Sequence, residues 1–246
     1  MNKNKPPAHF ASKYFDDIDE LSETDNYFLP VIKDASEVID FKQSSVLDVG
    51  CGTGIFLSSV IAAGCENCFG VDGPSEYAKR AISRGYKDVC IVDDLNNSPL
   101  PFSKESFDFV LCKDVFEHLL NPIYVLNGIN RVLKEDGLFL FHVPNHFPLY
   151  GRLKFLFTNN IDTFSFFKAE SRWTFPHIRF YEYSDCMSTL SQHGFIVERD
   201  LSFHFPAIPV FSRIKVLRPI MKYLVKKFPN QFAAGFTFLL SKKPGE

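Results

Sequence analysis

The segment Val46–Leu57, VLDVGCGTGIFL, constrains this chain more than any other. Val46 and Leu47 end a short apolar run of the kind that forms a buried parallel strand. Asp48 to Gly54 then reads D-x-G-x-G-x-G, and Ile55, Phe56, Leu57, Val60 and Ile61 give the apolar side of a helix that stops at Gly64. Strand, glycine turn and helix in this order place a sharp backbone turn where a ligand can lie directly on the main chain, with no Cβ in the way. A dinucleotide fingerprint needs G-x-G-x-x-G, and its third glycine position is Ile55 here, so that pattern is not met. What is met in full is an acid two residues before the first of three alternating glycines: Asp48, Gly50, Gly52 and Gly54.

The strands that follow repeat one theme, an acid at the carboxyl end. Cys68–Val71 runs into Asp72-Gly73, with Pro74 opening a helix that Gly85 closes. Asp72 lies about 20 residues beyond the turn, where a strand-end carboxylate accepts from both hydroxyls of a ribose. Val89–Val92 runs into Asp93-Asp94-Leu95. Ser106–Cys112 reads as a central strand and leads into Lys113-Asp114-Val115-Phe116-Glu117-His118-Leu119. Asn121 caps and Pro122 opens the next helix, Gly137 ends it, and Leu138–Val143 is a fifth strand. Such a series of β-α units folds as a Rossmann-like doubly wound α/β sheet whose ligands sit outside the carboxyl ends of its strands.

These motifs resemble those of the class I S-adenosylmethionine (SAM) methyltransferases. The resemblance implies a seven-stranded, mostly parallel sheet with an antiparallel last strand, here Phe236–Leu240, and SAM as cofactor. It implies that Asp48 with Gly50, Gly52 and Gly54 faces the methionine end, that Asp72 and Gly73 hold the ribose, and that Asp94 accepts from the adenine amino group while Leu95 packs on the ring. Lys113 completes the expected cofactor-binding set. The D-V-x-E-H-L segment is common in small-molecule methyltransferases. Val143-Pro144-Asn145, Gly151–Phe157 and His177-Ile178-Arg179-Phe180-Tyr181 resemble the V-P-N, R-L-x-L-L and H-x-R-F-F segments of methyltransferases found with bacterial surface-glycan assembly. Trp173-Thr174-Phe175-Pro176 stands where those have an acidic, polar stretch.

Several classes are excluded. A formal charge of -2 argues against bulk nucleic-acid binding. The N-P-P-Y segment of base and glutamine N-methyltransferases and the Pro-Cys of cytosine C5 enzymes are both missing after the fourth strand. Cys65 and Cys68 form a lone C-x-x-C without a second pair, so no metal is expected. The first residues carry no apolar signal core, and no apolar run reaches about 18 residues, so a cytoplasmic protein is expected.

An alcohol acceptor needs its proton removed as the methyl arrives, and histidine suits that role near neutral pH. His118, just past the fourth strand, and His177, at the return from an insertion, are the candidate catalytic residues; His142 and His146 are further candidates, and His193 reads as a helix-end contact. Residues 1–40 are expected as an N-terminal helical segment and 41–246 as the catalytic domain, with an aromatic-rich helical cap at 144–183 and a second insertion at 202–232. Three functions stay open: O-methylation of a sugar or glycan-related hydroxyl, O-methylation of a phenolic or quinone precursor, and SAM binding without catalysis. Residues 210–228 carry six cations and no acid, with Ile214, Leu217, Met221, Leu224 and Phe228 at helical spacing, and are expected to contact a membrane surface or to pack on the domain.

Overall fold

The computed structural model describes residues 28–56, 60, 61, 63–158, 177–208 and 214–244. Residues 1–27 of the expected N-terminal segment, Leu57, residues 159–176 of the expected cap and residues 210–213 of the basic stretch lie outside them.

A seven-stranded sheet forms in the order β3-β2-β1-β4-β5-β7-β6. Its strands are β1 Ser45–Val49, β2 Asn67–Asp72, β3 Asp88–Ile91, β4 Phe107–Lys113, β5 Leu133–Pro144, β6 Phe195–Asp200 and β7 Gly235–Lys242. Strands β1 to β5 run parallel, and β7 pairs antiparallel with both β5 and β6. This is the expected Rossmann-like doubly wound sheet with its closing strand reversed. Alternation along the strands sends side chains to two cores. Leu47, Val49, Val110, Cys112, Phe139 and Phe141 enter one, and Val46, Phe109, Leu111, Leu140 and Leu239 the other. Burial on both faces explains why the strands read as nearly continuous apolar runs.

Helix α1, Leu29–Ser36, has Pro30 in its first turn and buries Val31, Ile32 and Ala35. Helix α2, Ser75–Ser83, buries Tyr77, Ala78 and Ala81. Helix α3, Pro122–Val132, starts at Asn121, whose side chain accepts from the Tyr124 N–H, and buries Val125, Leu126, Ile129 and Val132. The helix therefore ends before the expected Gly137, and β5 begins at Leu133 rather than Leu138. Leu133 pairs with Phe107, and a register shift then brings Leu138 opposite Phe109. That irregularity hides the strand start from a periodicity reading.

Helix α4, Leu149–Thr158, opens the cap after β5. Residues 177–182 return as an irregular strap into α5, Tyr183–Gln192. Between β6 and β7 stand a 3-10 turn at Ser202–His204, α6 Arg218–Lys227 and α7 Pro229–Phe232. Among the described residues no helix is long and apolar enough to cross a membrane.

Candidate active site

The site lies at the carboxyl ends of β1, β2, β4 and β5. After β1 the chain turns through Gly50, Gly52 and Gly54, with φ of 75°, 53° and 85°, a region that side chains with a Cβ rarely occupy. Space is as tight as conformation. A Cβ on Gly50 would stand 2.3 Å from Val115 Cγ2, and one on Gly54 2.7 Å from Tyr86 Cε2. The turn is thus clamped between the β4 exit and the chain after α2.

Asp72, at the end of β2, holds the turn open. Its Oδ2 accepts the Gly52 N–H at 2.7 Å and its Oδ1 the Gly73 N–H at 2.7 Å. One donor on each oxygen leaves lone pairs for two further hydroxyls. A Cβ on Gly73 would meet only carbonyl oxygens at 3.6 and 3.8 Å, so the wall beside the carboxylate is not crowded. Asp48 sits beneath the turn rather than at its mouth. It is 3% exposed, and Tyr86 donates its hydroxyl to Oδ2 at 2.6 Å. Burial pushes the Asp48 carboxyl up to about 7 against the pull of the Tyr86 hydrogen bond, and the nearby Asp72 adds to the rise. Burial also raises Asp72. Lys113 offsets the Asp48 rise only in part, and two acids beside the turn fit a cofactor that carries an ammonium and a sulfonium.

The β3 end is arranged differently. Asp94 Oδ1 accepts from the Asn96 N–H and Asn96 Nδ2, and Oδ2 from Asn97 Nδ2 at 2.7 Å, so most of its capacity goes to its own turn. Leu95 is half-buried against the core. Lys113, at the end of β4, is buried and pairs with Asp114; its ammonium lies 3.9 Å from the Phe56 ring centroid and 5.6 Å from that of Phe28. Phe28 also meets the rings of His142 and Phe205, so the start of α1 closes over the ends of β4 and β5.

Beyond the ends of β4 and β5 lies a histidine cluster. His118 and His177 lie ring to ring with centroids 4.8 Å apart. His146 Nε2 and His177 Nδ1 share a proton position at 2.6 Å. His142 pairs through Nδ1 with Thr237 Oγ1 at 2.7 Å and presents Nε2 to Asp114 at 3.4 Å. Burial pushes His177 down to about 3, helped by His118 and His146, and pushes His142 and His146 down to about 4. His193 stands apart, against Asn127 Oδ1, as a helix-end residue does. The strap carries His177 into place: the N–H groups of Ile178 and Arg179 both donate to the Glu117 carbonyl, and Tyr181 donates its hydroxyl to the Phe116 carbonyl at 2.9 Å.

Three residues escaped the sequence reading. Tyr86 buries Asp48 from a distant part of the chain. Asp114 takes φ 53° and bridges Lys113 and His142. Glu117 is fully buried. The last two stand inside the D-V-x-E-H-L segment, which was their available signal.

Comparison with known proteins bears on the family and the fold. A family model described as a methyltransferase domain matches residues 10–197. An uncharacterized protein of Methanocaldococcus jannaschii is 28% identical over 80% of this chain and 75% of its own length. A ubiquinone biosynthesis O-methyltransferase of Actinobacillus pleuropneumoniae is 32% identical over 41% of this chain, and the match spans only 45% of that enzyme. Among solved structures, a SAM-dependent methyltransferase of Thermotoga maritima shares the fold with a TM-score of 0.60 at 18% identity, over 96% of this chain and 99% of that one.

Proposed function

The chain belongs to the methyltransferase-domain family, and from that premise we propose that it is a SAM-dependent O-methyltransferase acting on a sugar or glycan-related hydroxyl. The bound cofactor supplies a methyl group activated on a sulfonium sulfur. Asp72 accepts from its ribose hydroxyls, the Gly50–Gly54 turn receives its methionine end over the buried Asp48 charge, and Lys113 and Phe28 wall the crevice. Asp94 and Leu95 mark the adenine side.

The chain's own chemical task is to align the acceptor and release its proton. The acceptor oxygen forms its bond to carbon as the O–H bond breaks, and the electron pair of the broken S–C bond stays on sulfur. His118 and His177 activate that hydroxyl. The observation that carries the reading is their 4.8 Å ring contact beyond the end of β4, brought together from two separated segments. The polar cluster of Asp114, His142, His146 and His177 beside that contact would suit an acceptor rich in hydroxyls. A second reading, methylation of a phenolic or quinone precursor, is favoured by the ubiquinone-pathway relatives. The proposal includes peripheral contact of 210–228 with a membrane, which suits a lipid-carried acceptor.

Transfer of labelled methyl to nucleotide sugars, lipid-linked sugars and catechols tests both readings. The first expects sugars to be labelled, and labelling of catechols alone replaces it with the second. SAM binding with no transfer to any class leaves a binding protein. His118→Ala should abolish turnover with SAM affinity unchanged; full turnover in that variant removes His118 from the role.

A further inference from the structure

Glu117 poses a problem that methyl transfer alone does not answer. The side chain is 0% exposed, and neither carboxylate oxygen has a hydrogen-bond donor among the described residues. A buried carboxylate left this way is costly unless a proton or a cation accompanies it. Its surroundings point to the cation. One ligand atom each from Glu117, His118 and His177 lies within 4.8 Å of the others. His177 turns Nε2 toward Glu117 Oε1 at 3.9 Å, because Nδ1 is occupied by His146 Nε2 at 2.6 Å. An outer partner on the far ring nitrogen is how metal-ligating histidines are oriented.

The backbone holds the set in place. Glu117 and His118 share one 3-10 turn, Phe116–His118. The strap that brings His177 is tied to the same turn, with Ile178 N–H on the Glu117 carbonyl at 2.9 Å and Arg179 Nε on the Leu119 carbonyl at 2.8 Å. His118 and His177 are half-buried while Glu117 is enclosed.

We propose that Glu117, His118 and His177 bind one divalent transition-metal cation and leave coordination positions for the acceptor oxygen. Two imidazoles and one carboxylate select zinc, cobalt or manganese over calcium or magnesium, which require mostly oxygen ligands. Three protein ligands with an open position are the arrangement of a catalytic rather than a structural site. The role of the open position rests on the methyl-transfer reading above and deepens it. His118 and His177 then activate the hydroxyl as ligands: the cation lowers the pKa of the bound hydroxyl, its proton passes to water, and the metal keeps its oxidation state. Sequence spacing conceals the site, because His177 arrives from the far end of the cap.

The test uses the full chain without an affinity tag, stripped by chelator and desalted. Calorimetric titration with zinc, cobalt(II) and manganese(II) chlorides is expected to give one site per chain, and cobalt to give visible ligand-field bands. Glu117→Gln and His177→Ala should abolish that site, and His146→Ala should weaken it about tenfold, while His193→Ala binds as the native chain does. Absence of stoichiometric binding in the native chain overturns the proposal, as does binding that survives both ligand variants. SAM titration of every variant reports folding independently. A chain that binds SAM but no metal defeats this inference alone; one that binds metal but not SAM supports the metal site and defeats the methyltransferase reading.

Discussion

Tyr86 donates its hydroxyl to Asp48 across 2.6 Å, and through that bond the chain after α2 fixes the floor of the glycine turn. Asp48 titrates at about 7 in the fold, raised by burial, against 3.8 for its ordinary value. Between those values the folded chain binds more protons than the unfolded chain. The Asp48 contribution to stability is therefore greatest below about 4 and is lost as pH rises through about 7. Urea unfolding at pH 5 and pH 8 should show Asp48→Asn reducing the fall in stability across that interval relative to the native chain. An identical pH dependence in both would show that Asp48 ionises freely in the fold. Tyr86→Phe should cost about 1–3 kcal/mol, since it strips a buried acceptor of its donor.

Gly50 has two reasons to remain glycine, its φ of 75° and the 2.3 Å approach that a Cβ would make to Val115 Cγ2. Gly50→Ala should destabilise the chain by at least 1–2 kcal/mol, roughly the conformational term alone, and abolish measurable SAM binding. Adding Val115→Ala relieves the steric part and leaves the conformational one, so the pair should recover stability only in part. Full recovery of stability in the double variant would show that the backbone conformation carries no strain.

Much of this was legible because the signals are local. The glycine turn and the strand-end acids each follow from a few adjacent residues, and the reversed closing strand follows from the family resemblance those motifs carry. What was not legible depends on segments distant in sequence. Tyr86 finds Asp48 only after β1 and β3 take their places. Glu117 sits enclosed on a turn that the 177–182 strap reaches from far along the chain. The start of β5 at Leu133 is masked because the register shift against β4 breaks the alternation. The expected stripe divides, with Met221 buried, Leu217 and Leu224 half-buried, and Ile214 and Phe228 exposed, while Val225, outside that stripe, packs inward beside Met221.

Asp72 offers a double test of the ribose assignment. Asp72→Ala should weaken SAM binding roughly thirtyfold, the loss of two hydrogen bonds worth about 2 kcal/mol together. Part of that loss could come from the Gly52 and Gly73 N–H groups that Asp72 also holds. A SAM analogue lacking the ribose hydroxyls separates the two contributions by calorimetry. The native chain should bind it more weakly than SAM, whereas the variant should bind both alike. If the variant still prefers SAM, the hydroxyls have another partner.

Membrane contact is the last expectation the structure sharpens. Helix α6 carries Arg218, Lys222, Lys226 and Lys227 and no acid. Lys222 and Lys226 extend over the Phe203 ring, 3.8 and 4.8 Å from its centroid, so their charges lie along the domain edge. Ile220 and Tyr223 are 54% and 58% exposed beside them. Helix α4, which packs on α7 next to α6, adds Leu156 at 70% and Phe157 at 81% exposure. Exposed apolar side chains beside cations match an interface of lipid tails and anionic headgroups. Flotation with vesicles of anionic phospholipid should carry the protein upward at low salt, and high salt should weaken the effect. Changing Lys222, Lys226 and Lys227 to Glu should abolish flotation, and Phe157→Ser should reduce it at constant charge. Protein left at the bottom of the gradient at low salt would show that these helices present only a solvated surface.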